Sequence, residues 1–124
     1  RLNENISEIV SIITDGKYND VKLDENMHIS VFDDDHYMPI EFLSSGTIEQ
    51  IYLAVRLCIA GLLCKDRMPI IVDDIFTAYD EHRLKNALYC MSRIDTDQVI
   101  IFTSNNAIGD MLDDLSMEYN YVEL

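Results

Sequence analysis

The seven residues MPIIVDD (Met68–Asp74) decide the fold. An apolar run from Met68 to Val72, without alternation and closed by two aspartates, predicts a strand buried on both faces, as in a parallel sheet. QVIIFTSNN (Gln98–Asn106) repeats the design, with an apolar strand followed by polar residues at its carboxyl end. Between them the spacing predicts a helix from about Glu81 to Arg93. Strand, helix and strand in that order argue for parallel pairing with a covering helix. In such sheets ligands sit beyond the carboxyl ends of the strands. Asp73, Asp74, Thr103, Ser104 and Asn105 are therefore expected at one polar, acidic edge.

Upstream lies EFLSSGTIEQIYLAVRL (Glu41–Leu57). From Gly46 onward, Ile48, Ile51, Tyr52, Val55, Cys58, Ile59, Leu62 and Leu63 recur at helical spacing for roughly four turns. The small residues before this helix have two readings. They are an ordinary cap, with Glu49 complementing the dipole in the first turn. Alternatively, LSSGT offers backbone N–H groups and a Ser hydroxyl to a phosphate. Further upstream, DVKL, MHISVF and YMPIEF, separated by DEN and DDDH, read as an antiparallel meander. TDGKY (Thr14–Tyr18) is a helix stop with Gly16 in the C′ role. Before it, Leu2, Ile6, Ile9, Val10 and Ile13 form one face of an amphipathic helix. Downstream, a short helix near Ala107–Leu115 and a last strand in YNYVEL complete an α/β pattern: a small meander, then a mostly parallel sheet flanked by helices.

At 124 residues the chain is one domain's worth, and 48% hydrophobic residues place it among globular folds. Nine basic against 23 acidic residues give a net charge of −14. Duplex nucleic acid binds through phosphate neutralisation, so this surface is a poor DNA platform. No run is expected to span a bilayer, and the Asn and Glu residues of the first helix argue against a signal peptide. Cys58, Cys64 and Cys90 form no CxxC and read as buried reduced thiols of a cytoplasmic protein.

Asp73 and Asp74 carry the chemistry. One carboxylate suits Mg²⁺, directly or through water, while its neighbour suits activation of a water nucleophile. Adjacent strand residues point to opposite faces, so the two acids are not expected to share one task. The bland alternative is a strand-end pair opening a turn. Asp33–His36 reads as a solvated hairpin turn, and His28 and His82 have no Cys or His at ligand spacing.

FLSSGTIEQIYLAVRL, MPIIVDDIFTAYDEHRL and QVIIFTSNN together resemble the C-terminal lobe of an ABC-type ATPase head of the SMC and RecN kind. The YhaN-like branch of AAA-type ATPases with coiled coils is the nearest resemblance, covering about residue 14 to the end. It implies that residues 1–13 end a coiled coil and residues 14–124 form the lobe. It implies that Ser44, Ser45 and Gly46 are the signature motif, with Ser44 contacting the γ-phosphate of ATP held by the opposite head. Asp73 matches the Walker B aspartate that positions Mg²⁺, and Asp74 stands where most relatives carry a catalytic glutamate. Asp80 matches the D-loop aspartate at the dimer interface. Asn105 stands at the switch-histidine position, where it can hydrogen-bond a phosphate but cannot become a cation.

No GxxxxGK[ST] phosphate cradle occurs in the sequence. The resemblance assigns that motif to an N-terminal lobe, so the chain is expected to be half a head that by itself binds nucleotide weakly or not at all. The implied partners are that lobe and a second head in a homodimer, with any DNA contact made elsewhere and no membrane. Two other classes compete: a degenerate, non-hydrolysing interaction module, and an acidic α/β binding module of the receiver type.

Overall fold

A computed structural model of the chain describes residues 1–63, 67–74, 76–77 and 79–124; Cys64 lies outside them. The chain runs α1 (Leu2–Ile13), β1 (Val21–Leu23), β2 (Ile29–Asp33), β3 (His36–Pro39), a 3₁₀ turn (Ile40–Phe42), α2 (Ser45–Leu63), β4 (Ile70–Asp73), α3 (Glu81–Ser92), β5 (Val99–Phe102) and α4 (Ala107–Asp114). β1, β2 and β3 form an antiparallel meander, whereas β4 and β5 pair in parallel. The last three residues of YMPIEF thus leave the meander as a 3₁₀ turn, with Pro39 lacking an N–H to extend the ladder.

Turn chemistry fixes the meander. One carboxylate oxygen of Asp24 accepts from the N–H groups of Asn26 and His28, each at 2.8 Å, and closes the β1–β2 turn. Asp34 and Asp35 make a two-residue hairpin between the paired Asp33 and His36, with Asp34 at φ 56°. α1 ends in a Schellman arrangement: Gly16 N–H donates to Ser11 O and Asp15 N–H to Ile12 O. The cap residue is Thr14, so Asp15 (φ 53°) holds C′ and Gly16 (φ 75°) follows it, one position later than expected. Asp tolerates the left-handed conformation, so the stop works with the glycine displaced.

Two apolar clusters meet along α1 and α2. The first packs Ile6, Val10, Val21, Val31, Ile40, Ile51 and Ala54 between these helices and the meander. The second packs Ile13, Leu53, Leu57, Val72, Leu84, Leu88, Ile108 and Met111 between α1, α2, α3, α4 and one face of the parallel pair. α2 is long and apolar enough, by length and composition alone, to cross a membrane, contrary to the sequence expectation. Half of it is buried inside the fold. It is apolar because it serves both clusters.

β4 is buried on one face only. The register Ile71↔Ile100 and Asp73↔Phe102 puts Ile71, Asp73, Ile100 and Phe102 on one side of the pair. Val72 is buried on the other side, but Ile71 is 64% and Phe102 45% exposed. The apolar run of β4 thus anticipates a cover that these residues do not supply. YNYVEL forms no strand either. Among the described residues its backbone joins no ladder, and Tyr121, Val122 and Leu124 remain exposed. It borders a cavity of about 840 Å³ floored by Leu88, Val99, Ile101 and Leu112. Strand propensity without a hydrogen-bonded neighbour leaves the segment irregular.

Candidate functional site

The carboxyl edge of the parallel pair gathers the expected residues. Asp73 ends β4 on the open face, exposed to solvent. Asp74 lies beyond the strand at φ 46°, and its N–H donates to Phe102 O at 2.8 Å. Strand alternation therefore does not orient Asp74; a left-handed turn residue does. The same hydrogen bond sets Asp74 beside the segment that leads from Phe102 into Thr103, Ser104 and Asn105. Asn105 N–H donates to Thr103 Oγ1 at 3.0 Å, and Asn105 Oδ1 accepts from Ala107 N–H at 3.0 Å. The Asn105 oxygen thus closes an Asx turn just ahead of α4, whose N-cap residue is Asn106, and this leaves the Asn105 amide N–H₂ as the group that can meet an anion.

Among the described residues no three His, Cys, Asp or Glu side chains cluster as a metal cage. Asp73, exposed at the end of β4, supplies one hard oxygen donor, and Mg²⁺ takes only one or two carboxylates from protein when phosphates and water complete its shell. The donor set therefore fits a nucleotide-associated Mg²⁺ and not a dedicated protein-only site.

The second polar group lies at the amino end of α2. Ser44 caps this helix: its carbonyl accepts from Ile48 N–H, and its Oγ accepts a long bond of 3.4 Å from Thr47 N–H. Ser44 Oγ also lies 2.8 Å from Thr47 Oγ1. Because the helix begins at Ser45, Glu49 falls outside the first turn, which holds no acidic residue. Ser44 and Ser45 are exposed, whereas Gly46 is buried. A Cβ on Gly46 would come within 2.3 Å of Arg83 Nη1, so the glycine is covered by this side chain of α3.

Asp80 caps α3, accepting from Arg83 N–H at 2.8 Å. The Arg83 guanidinium stands 3.7 Å from Asp80 Oδ2 and donates to Thr47 Oγ1 at 3.5 Å. Asp80 and the Ser44–Thr47 turn are therefore joined through one arginine. No hydrogen bond among the described residues joins this cluster to Asp73, Asp74 or Asn105. Sequence reasoning missed Arg83. Its one local sign was its position three residues after a capping aspartate.

α1 is tied to both helices that carry this cluster. Gln50 Nε2 on α2 donates to Ile13 O at 2.7 Å, and Asn86 Nδ2 on α3 reaches the same carbonyl at 3.4 Å. His82, next to Arg83, pairs with Asp15 in the turn after α1.

The fold defined by these elements is that of one part of an SMC-type head. The SMC head domain of Thermotoga maritima superposes with a TM-score of 0.69 at 16% identity, over 90% of this chain and 40% of that one. An SMC ATPase chain described by its ATP-driven dimerization and DNA-stimulated activation gives 0.68 at 20% identity, over 90% and 72%. The Pyrococcus furiosus Smc head, solved with an extended coiled coil and bound to the C-terminal domain of ScpA, gives 0.66 at 18% identity, over 89% and 29%. In sequence the chain is similar to YhaN of Bacillus subtilis, with 30% identity over 116 residues. That match takes in 89% of this chain and spans 12% of the length of YhaN, a protein itself described as uncharacterized. No protein-family model matches the chain.

Proposed function

We propose that this chain is the C-terminal lobe of an SMC-like protein that binds and hydrolyses ATP between two heads. Residues 1–13 then end a coiled coil, and residues 14–124 supply motifs to two different nucleotides. Ser44 and Ser45 donate in trans to the γ-phosphate held by the partner head, with Gly46 beneath them. Asp73 holds Mg²⁺, which supplies charge neutralisation to the phosphates when bound. Asp74 orients the attacking water, the Asn105 amide donates to the phosphate, and Asp80 approaches the partner across the dimer interface.

The observation that carries this reading is the shared edge. Asp74 is hydrogen-bonded to Phe102 O, so the acid pair and Thr103–Asn105 leave the parallel strands together. The open face of Ile71, Ile100 and Phe102 is the cover point for the N-terminal lobe that bears the phosphate cradle. Any DNA contact belongs to other parts of the complete protein, because this lobe is strongly acidic. A cytoplasmic setting follows from the same reading.

The test is Mg²⁺-dependent ATP turnover by the complete protein, beside its Asp74→Asn and Ser44→Arg variants. Activity in the wild type and its loss in both variants is the expected result. Turnover no faster in the wild type than in the variants would favour the second reading, a non-hydrolysing interaction module. The left-handed Asp74 and the Asn105 oxygen committed to a local turn are the features that speak for that alternative.

A further inference from the structure

We propose that Arg83 is a positioning residue that fixes the direction of the Ser44 hydroxyl, so that Ser44 faces its ligand as a hydrogen-bond donor. The inference rests on the reading of Ser44 as a phosphate contact.

Polar atoms run in an unbroken series from Asp80 to Ser44. Asp80 Oδ2 lies 3.7 Å from Arg83 Nη1; Arg83 Nη2 lies 3.5 Å from Thr47 Oγ1; Thr47 Oγ1 lies 2.8 Å from Ser44 Oγ. A guanidinium donates and never accepts. Thr47 Oγ1 has two lone pairs and can accept from Arg83 and from Ser44 alike, so the guanidinium does not forbid either direction. Its charge polarises the Thr47 O–H, however, and so favours the order in which Thr47 donates to Ser44 Oγ. Ser44 Oγ also accepts from Thr47 N–H, so in the favoured order both inward contacts of this oxygen are acceptances. Its single proton is left pointing away from the helix, where an anionic oxygen would be met. Without Arg83, Ser44 is equally able to donate to Thr47 and present only lone pairs outward. Hydrogen bonds in series polarise one another, which strengthens a donor at the end of the series.

Gly46 acquires a different purpose on this account. Its missing side chain seats the Arg83 guanidinium, whose Nη1 and Cζ would lie 2.3 and 3.0 Å from an added Cβ. These atoms are the far end of a flexible chain, a third exposed. An alanine at position 46 would thus displace Arg83 without unfolding the helix, and alanine is the better helix former. The glycine makes room for an arginine of its own chain, not for a nucleotide.

The experiment measures kcat and KM for ATP in the complete protein, with urea unfolding of each variant alongside. Arg83→Ala, Gly46→Ala and Thr47→Val should each lower kcat/KM about tenfold, the order expected for one hydrogen bond to a charged group. Gly46→Ala added to Arg83→Ala should cost nothing further, and Arg83→Ala added to Thr47→Val should likewise have no further effect. Arg83→Lys, a donor without the planar fork, should recover part of the loss. An independent tenfold loss from Gly46→Ala in the Arg83→Ala background would overturn the inference, because the glycine would then serve the nucleotide. Wild-type kinetics in Arg83→Ala with Ser44→Ala inactive would also overturn it, yet leave the phosphate contact standing. Wild-type kinetics in Ser44→Ala would remove that contact, and the role of Arg83 with it.

Discussion

The carbonyl of Ile13 is the point at which α1 is held to α2 and α3, and its removal from that role has a calculable effect. Gln50 is only 3% exposed and donates to Ile13 O at 2.7 Å; Asn86 donates to the same oxygen at 3.4 Å. Gln50→Met preserves length and volume but removes the donor. A net hydrogen bond is worth about 1 kcal/mol, whereas orphaning a buried acceptor costs about 1–3 kcal/mol. With Asn86 still present, the acceptor keeps a weak partner, so Gln50→Met should cost about 1 kcal/mol. Asn86→Ala alone, losing only the longer bond, should cost about 0.5 kcal/mol. The pair together should cost about 3 kcal/mol, because the carbonyl is then left without a donor. Urea unfolding of the chain, followed by far-ultraviolet circular dichroism, reads all three values and their coupling. Strict additivity, with the double variant losing no more than about 1.5 kcal/mol, would show that the Ile13 carbonyl does not depend on these two donors.

Other outcomes follow from the same structure. Replacing Ile71 and Phe102 with lysine should suppress concentration-dependent self-association of the 124-residue chain in light scattering, since both stand on the open face of the parallel pair. Unchanged association would place the sticky surface elsewhere. His36 is held above the ordinary imidazole range, first by its hydrogen bond to Asp35 and then by the charges of Asp35, Asp33 and Asp34. Its favourable contribution is therefore fully present below the unfolded value near pH 6.5 and fades as pH rises through the folded value. Proton NMR titration should show the His36 midpoint fall in Asp35→Asn. Burial pushes the Cys58 thiol up to about 11 and the Cys90 thiol to about 12. In a Cys64→Ser background both should react with Ellman's reagent at pH 8 only after urea is added. Rapid labelling in the folded protein would contradict their burial.

The elements of this protein were legible in its sequence because each depends on neighbours close along the chain. The spacing from Ile48 to Leu63 writes α2, the DEN and DDDH turns write the meander, and the two apolar runs ending in polar residues write the parallel pair. The places of Asp73, Asp74 and Asn105 were legible for the same reason, because Asp73 ends β4, Asp74 follows it and Asn105 lies three residues beyond β5. The tertiary structure alone decided what depends on distant partners. It left YNYVEL outside any ladder, since no propensity supplies a second strand, and left one face of β4 open despite a sequence written for burial. It also brought Arg83 over Gly46 and aligned Asp80, Thr47 and Ser44, a meeting of two helices that the spacing of Asp80 and Arg83 along the chain does not announce. Hydrophobic periodicity is a property of a segment and can be read in one dimension; the direction of a hydrogen-bond series is a property of the residues that meet in space.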